Sequence, residues 1–209
     1  VFPEGVPRHI HARNFTLCTA AFNGWGLYNK WFWHTATDFS DPTEREDCFG
    51  IFNTCYEDTD FIYTPYTAKP ASIALAATNY FMRDDVESKN VYGTTEEGIW
   101  GFHFFEPKLN KDVFVLQAQY GVSGNKAFSL GCGSVDIYDI YGNHLGTMKS
   151  DDGVYSFEVT NEPYYIVGNF TAFEEAEKKP EISPEKITVD GIKGDIVTFS
   201  LKNNTGKTY

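Results

Sequence analysis

Residues 28–38 read YNKWFWHTATD and residues 69–81 read KPASIALAATNYF. The first stretch is bulky and does not alternate between apolar and polar positions, which is the pattern of a strand covered on both faces. In the second, Pro70 suits the first turn of a helix, where its missing N–H does no harm. Ile73, Ala77, Tyr80 and Phe81 then form an apolar stripe that Arg83-Asp84-Asp85 ends. Upstream, Ile10, Leu17 and Ala21 lie on one side and Phe15, Cys18, Phe22 and Trp25 on the adjoining side of a helix predicted over 10–25. Gly24 and Gly26 supply its stop, because glycine enters the left-handed region without steric cost. Residues 38–67 are too long for a simple connector, and loops of that length are often functional.

Beyond Asp85 the character changes. Short β runs over 98–105, 113–120, 126–130, 135–141, 154–160 and 164–167 are separated by turn signals, among them Gly142-Asn143 and Asp152-Gly153. Such spacing predicts an antiparallel sandwich. The charged stretch from Glu174 to Pro184 reads as a linker, and the period of two in 187–192 and 195–201 predicts the first strands of a further, immunoglobulin-like β domain. The fold class expected is α+β, mainly β. Its expected divisions are 1–84 (helix, strand, helix), 85–172 (sandwich), 173–185 (linker) and 186–209 (further strands). Both ends are expected to be cut, since Val1-Phe2 opens like a strand and the last residues stop after a strand and a turn.

Composition narrows the function. Twenty-nine acidic against 17 basic residues give a net charge of -12 with no basic run, which argues against a partner as phosphate-rich as nucleic acid. The 18 Phe and 13 Tyr point first to ordinary β-core packing, although such rings also stack on the C–H faces of sugars, and composition alone does not decide. Cys18, Cys48, Cys55 and Cys132 lack CxxC spacing, and His9-x-His11 has no placed third ligand, so neither a metal nor a cofactor is expected. Cys48 and Cys55 either close a small loop or remain two thiols. No apolar stretch approaches the length of a membrane span.

Taken in order, the helix, GLYNKWFWHTATD, Cys48-Phe-Gly-Ile-Phe52 and AKPASIALAATNYF resemble the final turn of retaining (β/α)8-barrel glycoside hydrolases of the β-xylosidase and α-iduronidase kind. Val135-Asp-Ile-Tyr-Asp-Ile-Tyr-Gly-Asn143, Asp152-Gly153 and Glu162-Pro-Tyr-Tyr-Ile-Val-Gly168 resemble the sandwich appended to such barrels. The resemblance implies that residues 1–84 are the C-terminal remnant of a barrel whose remainder lies upstream in the same polypeptide.

It also implies a two-carboxylate mechanism, in which one group protonates the leaving oxygen and the other attacks the anomeric carbon. Glu4, in Val1-Phe-Pro-Glu-Gly-Val-Pro7, resembles the nucleophile at the end of the seventh barrel strand; an exposed loop glutamate is the plainer reading. Trp33 or Trp31 would floor the sugar site, although two residues of equal parity share a face and can equally pack inside. His34 would reach a substrate hydroxyl or bond to backbone, and Asp38 would hold sugar hydroxyls or cap the loop. Trp100, Phe102, Phe104, Tyr138 and Tyr141 would form a sugar platform or fill the core and its joint with the barrel.

The function expected is that of a C-terminal portion of a glycoside hydrolase cleaving O-glycosidic bonds in a polysaccharide or oligosaccharide outside the cell or at its surface. This chain alone is expected to be inactive. The alternatives are a non-catalytic carbohydrate-binding or cell-surface sandwich, and a structural spacer.

Overall fold

The computed structural model describes residues 9–26, 52–53, 67–83, 85–93, 96–176, 187–193 and 196–201, with backbone alone at 52–53, 67, 187–193 and 196–201. The chain divides into two units, Val1–Ala176 and Glu177–Tyr209.

The first unit opens with helix α1 (His9–Gly24), the two-residue strands β1 (Phe52–Asn53) and β2 (Thr67–Ala68), which pair antiparallel, and helix α2 (Pro70–Phe81). Pro70 occupies the first turn of α2, as its fixed φ favours, and the Ser72 hydroxyl donates to the Lys69 carbonyl at 2.8 Å. Nine strands follow: β3 (Glu87–Tyr92), β4 (Ile99–Glu106), β5 (Lys111–Ala118), β6 (Gly124–Ser129), β7 (Ser134–Tyr138), β8 (His144–Lys149), β9 (Val154–Val159), β10 (Tyr164–Gly168) and β11 (Glu174–Ala176). They form a six-stranded antiparallel sheet in the order β3-β4-β5-β10-β7-β8 and a three-stranded sheet in the order β11-β6-β9. The protein is therefore a β-rich α+β structure.

The central strands of the large sheet are buried on both faces, which explains why their apolar runs are nearly continuous. On one face Ile99, Phe114, Leu116, Ala118, Val135 and Ile166 meet Phe128, Leu130, Tyr155, Phe157 and Val159, closing the sandwich core. On the other, Phe102, Phe104, Val113, Val115, Tyr165 and Val167 pack against Ala20 of α1 and Phe81 and Met82 at the end of α2. Full burial of each Phe ring stabilises by roughly 1.5–3 kcal/mol. The result is three layers: helices, large sheet, small sheet.

Small residues let the helices come close. Ala12 and Ala74 pack with Ile140, and Phe15 packs with Ala71. The buried face of α1 is Ala12, Phe15, Thr16, Thr19 and Ala20; of the residues that the sequence period selected only Phe15 belongs to it, while Ile10, Leu17, Ala21 and Phe22 are half-buried and Cys18 and Trp25 are exposed. The buried face of α2 is likewise Ala71, Ala74, Ala77, Thr78 and Phe81, while Ile73 and Tyr80 face outward. Backbones that approach closely select alanine and threonine and leave larger side chains at the margin. The Tyr165 hydroxyl lies within 3.4 Å of Thr16 Oγ1 and 3.2 Å of Thr78 Oγ1, tying both helices to β10, and burial pushes its pKa up to about 12.

Gly24 and Gly26 divide the work of ending α1. Gly26 adopts φ +63°, whereas Gly24 is where the helix meets the sheet, since a Cβ there would collide with the Phe102 ring. At the far end of α2, the wholly buried Glu106 carboxylate faces Arg83 Nε at 3.4 Å and accepts the Lys108 N–H at 2.9 Å.

Besides the two-residue β1 and β2, three strands of the two larger sheets are absent from the sequence reading. β3 and β8 are the edges of the large sheet and are largely exposed, so neither carries an alternating pattern. β11 occupies the first residues of the charged stretch read as linker: Glu174–Ala176 pairs with Ser129–Ala127 of β6, and backbone hydrogen bonding does not require apolar side chains.

The second unit contains an antiparallel pair, β12 (Ile187–Lys193) and β13 (Ile196–Leu201), with a register irregularity between Val189 and Gly191. Two strands answer to the predicted alternation there.

Candidate functional site

Glu4, Trp31, Trp33, His34 and Asp38, the residues to which the sequence assigns catalysis and substrate binding, all lie outside the described residues, as do Cys48 and Cys55. Of the five sandwich aromatics, Phe102 and Phe104 are wholly buried beneath the helices and Trp100 and Tyr138 pack against the same cluster. Tyr141 lines a groove.

That groove, about 330 Å³, lies where the start of α1 meets the β7–β8 and β9–β10 turns. The first turn is set by Asp139. Its carboxylate accepts the N–H groups of Tyr141 and Asn143 at 2.9 Å each and the Asn143 side-chain amide at 2.9 Å, while Gly142 takes φ +82°. The Asp-x-Tyr-Gly-Asn motif is thus a turn device that presents Tyr141. In the second turn the Thr160 hydroxyl accepts the Glu162 N–H at 3.1 Å, and Pro163 leads into β10.

The two turns converge on His9. Because a carboxylate only accepts, His9 Nε2–H donates to Glu162 Oε2 at 2.6 Å, which leaves Nδ1 to accept from the Tyr141 hydroxyl at 2.6 Å. Arg13, one helical turn on, brings its Nη1 within 3.9 Å of the other Glu162 oxygen. The first turn of α1 has no acidic residue of its own, so Glu162 places negative charge where the helix dipole favours it. With both ring nitrogens engaged, His9 is not poised to share a metal with His11. Burial, with Lys69 close by, lowers the pKa of His11. Burial and then Glu162 and Asp139 raise that of Tyr141.

The remaining wall is mixed. Leu145 is 63% exposed, a large apolar side chain at the rim. Glu158 of β9 is exposed, and the hydroxyl of the half-buried Tyr164 donates to its carbonyl at 3.0 Å; burial first, then the Glu158 charge, raises the pKa of Tyr164. The sequence offered Tyr141 and His9 by residue type, but it gave no reason to join them to Glu158, Thr160 and Glu162. The one available signal was the Thr160-Asn-Glu-Pro163 run between two strands, whose hydroxyl and proline mark a turn.

A second polar cluster lies inside the sandwich. His103, almost wholly buried, donates Nε2–H to Asp112 Oδ1 at 2.8 Å, and its Nδ1 lies 3.1 Å from the Asn90 amide nitrogen. Asp112 Oδ2 accepts the Phe170 N–H at 2.9 Å, and Phe173 stacks on the imidazole at 4.6 Å. Burial lowers the His103 pKa, with Asp112 opposing. The cluster fastens the segment after β10 to the large sheet. Among the described residues no helix is long and apolar enough to cross a membrane.

No protein-family model and no curated protein sequence matches the chain. Solved structures resemble part of it, among them the following two. A GH30 endoxylanase from Clostridium papyrosolvens C71 aligns with TM-score 0.42 and 15% identity over 49% of this chain and 28% of the endoxylanase. A protein from Bacillus halodurans C-125, provisionally named an α-N-acetylgalactosaminidase, aligns with TM-score 0.30 and 11% identity over 42% of this chain and 21% of its own. Both are glycoside hydrolases by name, and the chain spans less than a third of either. Likeness this partial defines neither family nor activity.

Proposed function

We propose that this chain is the C-terminal portion of a glycoside hydrolase that cleaves O-glycosidic bonds in a polysaccharide or oligosaccharide, acting outside the cell or at its surface. In this reading residues 1–84 close a (β/α)8 barrel begun upstream in the same polypeptide, and residues 186–209 begin a further immunoglobulin-like β domain. Glu4 attacks the anomeric carbon, a second carboxylate on the upstream barrel protonates the leaving oxygen, and Trp33, Trp31, His34 and Asp38 hold the sugar. Without the upstream strands the two carboxylates are not held in register, so the chain alone is inactive.

The observation that carries this reading is the helical layer. Helices α1 and α2 pack side by side on the outer face of an antiparallel sheet, and α2, opened by Lys69-Pro70, still exposes Ile73 and Tyr80 on its other side. A helix apolar on two faces suits a position between the sheet and a further neighbour. Hydrolysis of aryl-glycosides by the full-length parent tests the proposal. Activity abolished by Glu4→Gln is expected; no activity on any sugar panel, or a Glu4→Gln variant indistinguishable from the native enzyme, overturns it.

A further inference from the structure

The groove at the start of α1 is lined by residues other than those to which catalysis is assigned, and its chemistry defines an occupant. Of its three carboxylates, Asp139 is consumed by its own turn, and Glu162 accepts from His9 and is paired with Arg13. Glu158, exposed on β9, has no ion-pair partner among the described residues. Thr160 uses a lone pair of its hydroxyl to accept the Glu162 N–H and keeps its O–H available to donate. Opposite these polar groups, Leu145 and Tyr141 present an apolar wall, and Leu145 is exposed without a packing reason of its own.

A carboxylate that accepts, a hydroxyl that donates and an apolar face beside them suit a molecule with both hydroxyl groups and a C–H face. An anionic ligand is opposed by the surplus carboxylate. An organic cation meets a single uncompensated charge and finds no use for the Thr160 donor. A volume of about 330 Å³ is at the lower end for small-molecule sites, enough for one or two sugar rings. We infer that this groove binds a neutral pyranose residue, with vicinal hydroxyls on Glu158, a further hydroxyl oxygen receiving the Thr160 O–H, and the ring's C–H face against Leu145 and Tyr141. It would act as a secondary site that keeps the proposed hydrolase on its polymer. The inference leans on the carbohydrate reading for that role only, not for binding itself.

The test is an amide-resolved NMR titration of the 209-residue chain with glucose, xylose, xylobiose and cellobiose, and with a lysine amide and glucuronate as charged controls. Saturable shifts at Leu145, Glu158, Thr160 and Tyr141 with a neutral sugar, in the millimolar range, are expected. Glu158→Ala should weaken that binding about tenfold, the loss of a ligand hydrogen bond, and leave the rest of the spectrum unchanged; Thr160→Val should weaken it at least as much, with further shifts confined to the β9–β10 turn and His9, because it also removes the acceptor of the Glu162 N–H. Response to the lysine amide alone, or saturable sugar shifts centred elsewhere, overturns the inference, and so does no response to any of the neutral sugars. Aryl-glycoside hydrolysis by the parent carrying Glu158→Ala separates the two proposals: unchanged turnover with lost sugar binding supports both, and turnover without any binding at this groove in the native protein sinks this one alone.

Discussion

Replacing Asp112 by Ala should cost the first unit about 3 kcal/mol, from the loss of two charge-assisted hydrogen bonds at roughly 1.5 kcal/mol each. One runs from His103 Nε2–H at 2.8 Å and the other from the Phe170 N–H at 2.9 Å. The lower end of the range applies because the Asp112 side chain keeps 15% exposure and water can enter the space it vacates. The donors left behind are not equal: His103 is 7% exposed at its side chain, so its N–H is the costlier orphan. For a domain of this size the change corresponds to a fall in Tm of roughly 6–12 °C. Urea unfolding followed by circular dichroism gives the free energy, and the double variant with His103→Gln isolates the pairwise part. A loss below about 1 kcal/mol for Asp112→Ala, or strict additivity in the cycle, would show that the cluster does not fasten the segment after β10, and the reasoning would fail.

The same cluster predicts a pH dependence. A histidine whose native pKa is lowered binds fewer protons folded than unfolded, so its contribution is fully present above its unfolded value of about 6.5 and is lost as pH falls through the native one. Stability of the native chain should therefore decline below about pH 6.5 more steeply than that of His103→Gln; parallel profiles would refute it. Gly24→Ala should destabilise by about 1–3 kcal/mol despite alanine's better helix propensity, because its Cβ meets the Phe102 ring; a stabilised variant in thermal melts would contradict the packing. Tyr165→Phe should cost about 1 kcal/mol in urea unfolding, since the hydrogen bonds to Thr16 and Thr78 are long and each threonine can turn to its own helix; a loss of several kcal/mol would contradict that estimate. Ile73→Glu should change the stability of this chain by less than about 0.5 kcal/mol but that of the full-length parent by more, if a barrel neighbour covers that face; equal effects in both proteins would count against the barrel reading.

Local chemistry made part of the protein legible in sequence. Pro70 after Lys69 marks the start of α2 because only the first turn tolerates a missing donor, and it does start there. The runs holding β4, β5, β7, β9 and β10 stand out because each has at least one buried face, and Gly142 marks its turn because φ is positive there. The edges β3 and β8 do not stand out, since an exposed strand needs only backbone partners.

The helix faces show the same division. Periodicity places Ile73 and Tyr80 on an apolar stripe, but which stripe is buried depends on how closely the sheet and α1 approach, and that approach selected the alanines. The sequence by itself therefore determined where the helices and inner strands lie, from turn chemistry and apolar period. Only the tertiary structure decided that the large sheet is covered twice, which helix stripe it covers, and that His9 meets Tyr141 and Glu162 from opposite ends of the first unit. Burial and hydrogen bonding are relations between surfaces, and no single stretch of chain contains both partners.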